Sequence, residues 1–99
     1  MSWAIITRRW APEIILALAG EPRRFNWLLG HITGISDRVL TERLRDLEVT
    51  GLVVRRVAVI SPIRVTYALT AEGERYVQPL AQLHAIANRP QEVVAARAS

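Results

Sequence analysis

Arginine carries most of the chemistry this chain can offer. All thirteen basic residues are Arg, against nine acids, for a formal net charge of +4 over 99 residues. Arg in place of Lys fits a GC-rich coding sequence, so the residue type alone says little. Its placement says more. Positions 23–64 hold eight Arg against four acids, while the segments on either side are balanced, so the whole excess lies mid-chain. Within that block Arg38, Thr41, Glu42 and Arg45 recur at helical spacing, and Arg55, Arg56 and Arg64 follow. A guanidinium can bridge the O6 and N7 of guanine, a threonine can meet a phosphate or a thymine methyl, and a glutamate can accept from cytosine N4. The same residues also fit a solvated helix face in which Arg38 pairs with Glu42 at i,i+4.

The search for reaction chemistry returns nothing. The absence of cysteine removes disulfides, thiolate nucleophiles, Cys-ligated zinc and direct thiol redox sensing from these 99 residues. His31 and His84 stand alone, without metal-ligand spacing. Gly30 and Gly34 form no phosphate-binding loop, and Ser36 and Ser61 lack a nucleophile elbow. Glu42, Asp46 and Glu48 lie among arginines on one amphipathic stretch, where ion pairing is the simpler use. We therefore expect no enzyme, no catalytic residue, no metal site and no cofactor. The first ten residues lack the basic-then-apolar order of a signal peptide. The longest apolar stretch, near 14–19, is too short for a bilayer. The expectation is a soluble, cytoplasmic protein with no membrane partner.

The elements that must position these arginines follow from pattern and punctuation. Pro12 and Glu13 open a helix over 12–19, apolar almost all round and hence buried, with Trp10 packed beside it and Gly20 ending it. Phe25, Leu28, Leu29 and Ile32 define a second helix over 24–32. Gly34 supplies a turn, Ser36 an N-cap and Gly51 a stop for a third helix over 37–50, whose Leu40, Leu44 and Leu47 form one stripe. The period then changes to two. Segments 52–60 and 64–69 form a β-hairpin around Pro62, with Val65, Tyr67 and Leu69 on one face and Arg64, Thr66 and Ala68 on the other. Thr70 caps a final helical region that Pro79 should kink or divide, and 91–98 fits one more short helix. The fold class is mainly α with a small antiparallel hairpin, in the order of a winged helix-turn-helix. At this length it forms one domain over 1–99.

That order changes the weight of the exposed face. It makes the third helix the second member of a helix-turn-helix, with Arg38, Thr41, Glu42 and Arg45 turned outward. Ser36 at its start offers a hydroxyl and free N–H groups to a phosphate. Arg55, Arg56 and Arg64 on the hairpin are placed to reach a minor groove or backbone, or simply to guard a sheet edge.

With those residues in hand, the chain resembles the HxlR-type family of bacterial winged-helix transcriptional regulators, relatives of the MarR group. The resemblance runs from about Trp10 to Leu83. It rests on Arg24-Phe25, on Gly34-Ile35-Ser36, on the run from Val39 to Glu48, and on Gly51-Leu52-Val53. Pro62, Val65, Tyr67, Leu69, Thr70 and Gly73 complete it. It implies a homodimer on a palindromic double-stranded DNA operator, read by Ser36, Arg38, Thr41, Glu42 and Arg45 and flanked by Arg55, Arg56 and Arg64. It further implies dimerisation segments at 1–11 and 79–99, with Trp3, Ile5, Ile6, Leu80, Leu83 and Ile86 as an adhesive patch in a lone chain. Many family members sense oxidants through a Cys before the first helix, but here that region reads Trp3 to Trp10 without one. The signal is then a small-molecule effector near the dimer interface, or there is none. Trp3, Trp10, Trp27 and Tyr76 either line such a pocket or pack the core. The rival readings are a winged-helix module that docks protein and a small-molecule-sensing adaptor, neither reading DNA.

Overall fold

A leucine stripe organises the chain. The computed structural model describes residues 2–59 and 61–88. Its elements are α1 (Ser2–Ile6), α2 (Ala11–Ala17), α3 (Phe25–His31), α4 (Asp37–Val49), β1 (Val53–Ala58), β2 (Arg64–Leu69), α5 (Ala71–Glu74) and α6 (Val77–Ala87). Leu40, Leu44 and Leu47 of α4 are buried, and Ile14, Ile15 and Leu18 of the α2 segment, Leu28 of α3 and Leu52 meet them in one cluster.

The ends of α4 are set by local chemistry. The backbone N–H of Val39 donates to Ser36 Oγ at 3.2 Å, which makes Ser36 the N-cap. At the other end Gly51 takes φ +80°. Leu52 N–H then reaches the Leu47 carbonyl at 2.9 Å and Gly51 N–H the Glu48 carbonyl at 3.0 Å, the paired bonds of a Schellman stop. Both signals were legible, and the helix ends one residue short of expectation. Gly34 likewise has φ +91° in the turn between α3 and α4. The helix α2 ends at Ala17, two residues early, with Leu18 as its C-cap.

The strands pair antiparallel from Val53 opposite Leu69 to Ala58 opposite Arg64. Ala68 and Leu69 are both buried, so the expected alternation of faces is lost at the base of the hairpin, where protein covers both sides. The other edge of β2 is occupied too. Arg23 N–H donates to the Tyr67 carbonyl at 2.8 Å and Tyr67 N–H to the Arg23 carbonyl at 2.7 Å, tying the α2–α3 connection to the hairpin.

Two expectations are corrected. The N-terminal residues form α1, a five-residue helix that no cap or periodicity announced. The last helical region divides at Arg75 and Tyr76, ahead of Pro79. Pro79 sits in the first turn of α6, where its missing N–H had no partner to lose, so the helix runs through it unbroken. The short helix read at 91–98 lies outside the described residues.

Thr70 joins the end of α4 to the start of α5. Its hydroxyl donates to the Gly51 carbonyl at 2.6 Å and accepts from Gly73 N–H at 3.0 Å. Gly73 is buried, and a Cβ there would strike the Leu52 carbonyl. A backbone atom cannot swing away, so Gly73→Ala should lower stability by about 1–3 kcal/mol. Urea unfolding that leaves this variant level with the parent would show that the contact relaxes freely.

Candidate nucleic-acid interface

Burying the leucines of α4 forces its opposite side outward. Arg38, Thr41, Glu42 and Arg45 are all exposed there. Arg38 Nε lies 3.2 Å from Glu42 Oε2, so the i,i+4 pair weighed from the sequence forms. With the Arg38 side chain 87% exposed, that pair is worth little and is readily exchanged for another anion. Thr41 donates its hydroxyl to the Asp37 carbonyl at 2.8 Å, which leaves its methyl group and lone pairs for an outside partner. The Ser36 oxygen is already engaged in capping.

The hairpin divides its three arginines. Arg55 lies opposite Tyr67 and lines a groove of about 420 Å³ together with Thr41, Leu44, Arg45, Glu48 and Val49. Arg56, opposite Thr66, lies on the other face, beside Gly20, Glu21, Pro22 and Glu74. Arg64, opposite Ala58, shares that second face by strand alternation. The eight candidates therefore do not form one surface. Arg45 and Arg55 share a groove with Thr41, whereas Arg56 stands near two carboxylates across the sheet.

Pairing sharpens the distribution of charge. Among the described residues, Arg8, Arg23, Arg38, Arg43 and Arg75 form ion pairs. Arg9, Arg24, Arg45, Arg55, Arg56 and Arg64 appear in none of the pairs among those residues; Arg9 instead lies over the Trp10 ring, 4.9 Å from its centroid, and the other five belong to the helix-turn-helix and hairpin. Arg24, with Asn26, is exposed at the start of α3. It was not among the sequence candidates, although the charge excess over 23–64 contained it.

The reverse side of α4 is bolted to the N-terminal corner. Arg8 Nη1 lies 2.9 Å from Asp46 Oδ2, and Arg43 Nη1 lies 3.3 Å from the same oxygen. Arg43 Nε donates to the Arg9 carbonyl at 3.0 Å. The carboxylate of Asp46 thus holds two guanidinium groups from different elements.

The expected adhesive patch is partly spent inside the chain. Ile6 and Leu80 are 4% and 8% exposed, because α1 and α6 both pack on α2. Ile5 is half-buried. Trp3, Leu83 and Ile86 are 77%, 60% and 60% exposed. Trp3 and Leu83 flank a groove of about 400 Å³ with Tyr76 and Pro79. The four aromatic residues read as a possible pocket do not meet: Trp3 and Tyr76 line this groove, Trp10 a second cleft and Trp27 a third.

A helix-turn-helix followed by an antiparallel hairpin, with three helices in the core, is a winged helix-turn-helix. Solved structures agree. The putative transcriptional regulator ytfH from Salmonella typhimurium superposes with a TM-score of 0.82 at 30% identity, covering 99% of this chain and 88% of that one. A putative transcriptional regulator of the MarR family from Enterococcus faecalis gives 0.78 at 32% identity, over 97% and 84%. The HxlR-like helix-turn-helix family matches residues 5–93, and the chain belongs to it. Among curated relatives, the HTH-type transcriptional regulators YvaP and YodB, both from Bacillus subtilis, are 34% and 36% identical. The alignments cover 80% and 73% of this chain, and 73% and 64% of those proteins. The family is one of transcriptional regulators and not of enzymes. Among the described residues no helix is long and apolar enough to cross a membrane.

Asp46 gives this geometry a direct check. Asp46→Ala leaves Arg43, only 20% exposed, without its main partner, and should cost about 1–2 kcal/mol of stability. Asp46→Asn, which keeps an acceptor oxygen, should cost less. Equal stability of both variants and the parent in thermal unfolding would mean that the corner is held by packing alone.

Proposed function

We propose that this protein is a sequence-specific regulator that binds a palindromic double-stranded DNA operator as a homodimer. The observation that carries the reading is the groove in which Arg45 of α4 and Arg55 of the hairpin, neither with a carboxylate partner among the described residues, stand beside Thr41. Two unneutralised guanidinium groups on a helix-turn-helix and its wing suit the phosphates and base edges of a duplex. In this reading α4 enters the major groove. Arg45 reads a base edge, Arg38 exchanges Glu42 for guanine or phosphate, and Thr41 and Glu42 refine the choice of neighbouring bases. Ser36 and the first N–H groups of α4 meet a phosphate. Arg55 takes backbone phosphate beside the reading helix, and Arg56 and Arg64 serve the flank of the wing.

The chain is read as one winged-helix domain over 1–99, with its dimerisation segments at 1–11 and 79–99. The exposed apolar side chains Trp3, Leu83 and Ile86 support a two-fold contact near α1 and α6. Two copies then present two α4 helices to successive major-groove faces, which is why a palindrome is expected.

Selection of bound duplexes from a random pool tests the reading and should return a palindrome. On that operator Arg45→Ala or Arg38→Ala should reduce discrimination by about 1–3 kcal/mol. Arg55→Ala should weaken all DNA nearly equally and reduce the slope of log K against log salt by about 1. A parent whose binding is flat in salt, or that has no DNA affinity at low salt, favours the protein-docking reading instead.

A further inference from the structure

The outer end of the hairpin carries no charge. Positions 57–63 are all uncharged, and no Asp or Glu occurs between Glu48 and Glu72. The cations of the hairpin, Arg55, Arg56 and Arg64, therefore only flank its tip. Val59 and Ile63 are 83% and 62% exposed there, and Val57 and Pro62 beside them are exposed as well. We propose that this apolar tip lodges in the minor groove at the edge of each half-site and selects A·T pairs there. This role rests on the operator binding proposed above, which engaged only the arginines of the wing.

The pairing register decides which side chains lead to the tip. Arg55 lies opposite Tyr67, and Val57 opposite Val65 is the next pair outward on the same face. That face bears the groove shared with Thr41 and Arg45. Along it the surface passes from guanidinium to valine, and Val59 and Ile63 follow just past the last pair, Ala58 with Arg64. Arg56 and Arg64 stand on the opposite face. Burial runs out in the same direction: Val53 is buried, Val54 half-buried, and Arg55 to Ala58 are exposed. The hairpin thus projects from the body of the fold as an apolar end with cations on both faces behind it.

That arrangement matches the cross-section of a minor groove. Arg55 on one face and Arg56 and Arg64 on the other suit the two phosphate backbones that border it, and the tip between them meets sugars and the groove floor. The floor of either base pair presents acceptors, and G·C adds the N2 amine donor of guanine. Val59 and Ile63 have no acceptor to offer. Against G·C they bury that amine without a partner, whereas against A·T no donor is lost. A narrow A·T groove also concentrates negative potential, which the flanking arginines answer. The place of the tip favours a duplex over a protein partner, because it continues the face on which Thr41 and Arg45 stand.

Duplexes built on the selected operator test this by changing one group on the groove floor. Replacing A·T by G·C at the positions just outside each half-site should weaken binding by about fivefold or more. Inosine·C pairs, which lack the N2 amine but keep the major-groove face of G·C, should restore the affinity. Pairs of 2,6-diaminopurine with T, which add the amine to A·T, should lose it again. Val59→Ser combined with Ile63→Ser should shrink the difference between flanks to about twofold or less. At these exposed positions thermal unfolding should stay nearly unchanged, and so should the slope of log K against log salt, since no phosphate contact is removed. Ile63→Leu, still apolar, should keep the preference. Inosine·C that binds like G·C, or a double variant that discriminates as the parent does, overturns the role of the tip and leaves the selected palindrome standing. Selection of no DNA at all overturns both. A double variant that loses self-association in gel filtration but keeps the flank preference assigns the tip to a contact between copies, and overturns the proposal too.

Discussion

The burial of three leucines on one side of α4 is the constraint from which the rest follows. Leu40, Leu44 and Leu47 are at most 1% exposed, and burying each is worth roughly 1.5–3 kcal/mol. A 13-residue helix cannot rotate about its axis without pulling that stripe out of the core, so Arg38, Thr41 and Arg45 must face outward. Orientation of the polar face is thus a by-product of packing, and no polar contact is needed to aim it. The caps contribute the other coordinate. Ser36 and Gly51 fix where the helix begins and ends, and so which of its turns project beyond the body of the fold.

The stripe sets rotation, and the N-terminal corner sets tilt. Two contacts reach α4 from the α1–α2 connection: Trp10 against Gly34 near the start of the helix, and the Arg8–Asp46–Arg43 cluster along its length. Neither alone defines a direction, since a single contact leaves a helix free to pivot about it. Together they tie the corner to the helix at two separate points. Arg43 reinforces this by donating to the Arg9 carbonyl, a backbone atom that no side-chain rotation can withdraw.

How far the sequence was readable depended on whether the deciding interaction was local. The helix α4 was legible because its cap, stripe and stop lie within the element, and the same holds for Thr70 capping α5. The helix α1 was not: five residues are too few to show a period, and they are held by packing on α2 and by the Thr7 hydroxyl donating to the Trp3 carbonyl. Pro79 misled because its effect depends on whether a helix begins just before it, and tertiary packing places that start at Tyr76. The period of β2 predicted two faces, but it could not say which face turns toward α4 and so parted Arg55 from Arg56. Ile6 and Leu80 were assigned to a patch between copies, although nearest-neighbour packing inside the chain claims them first.

The ion pairs show why location of charge is more informative than its sum. A folded domain lowers its own electrostatic energy by placing a guanidinium near a carboxylate, and this chain does so at Arg8, Arg23, Arg43 and Arg75, while Arg9 lies over the Trp10 ring instead. Arg43 is the clearest case, with Asp46 and Glu42 both within reach. Arg45 is two residues further on the same helix and pairs with no carboxylate among the described residues, although Glu48 lines the same groove. Arg55 faces that groove as well. Two like charges beside one groove raise the energy of the free protein slightly, and solvent screening keeps that cost small. The net charge of +4 is therefore better described by place than by sum: among the described residues Arg8 and Arg43 are neutralised where the corner meets α4, whereas Arg45 and Arg55 stand without a carboxylate partner beside one groove.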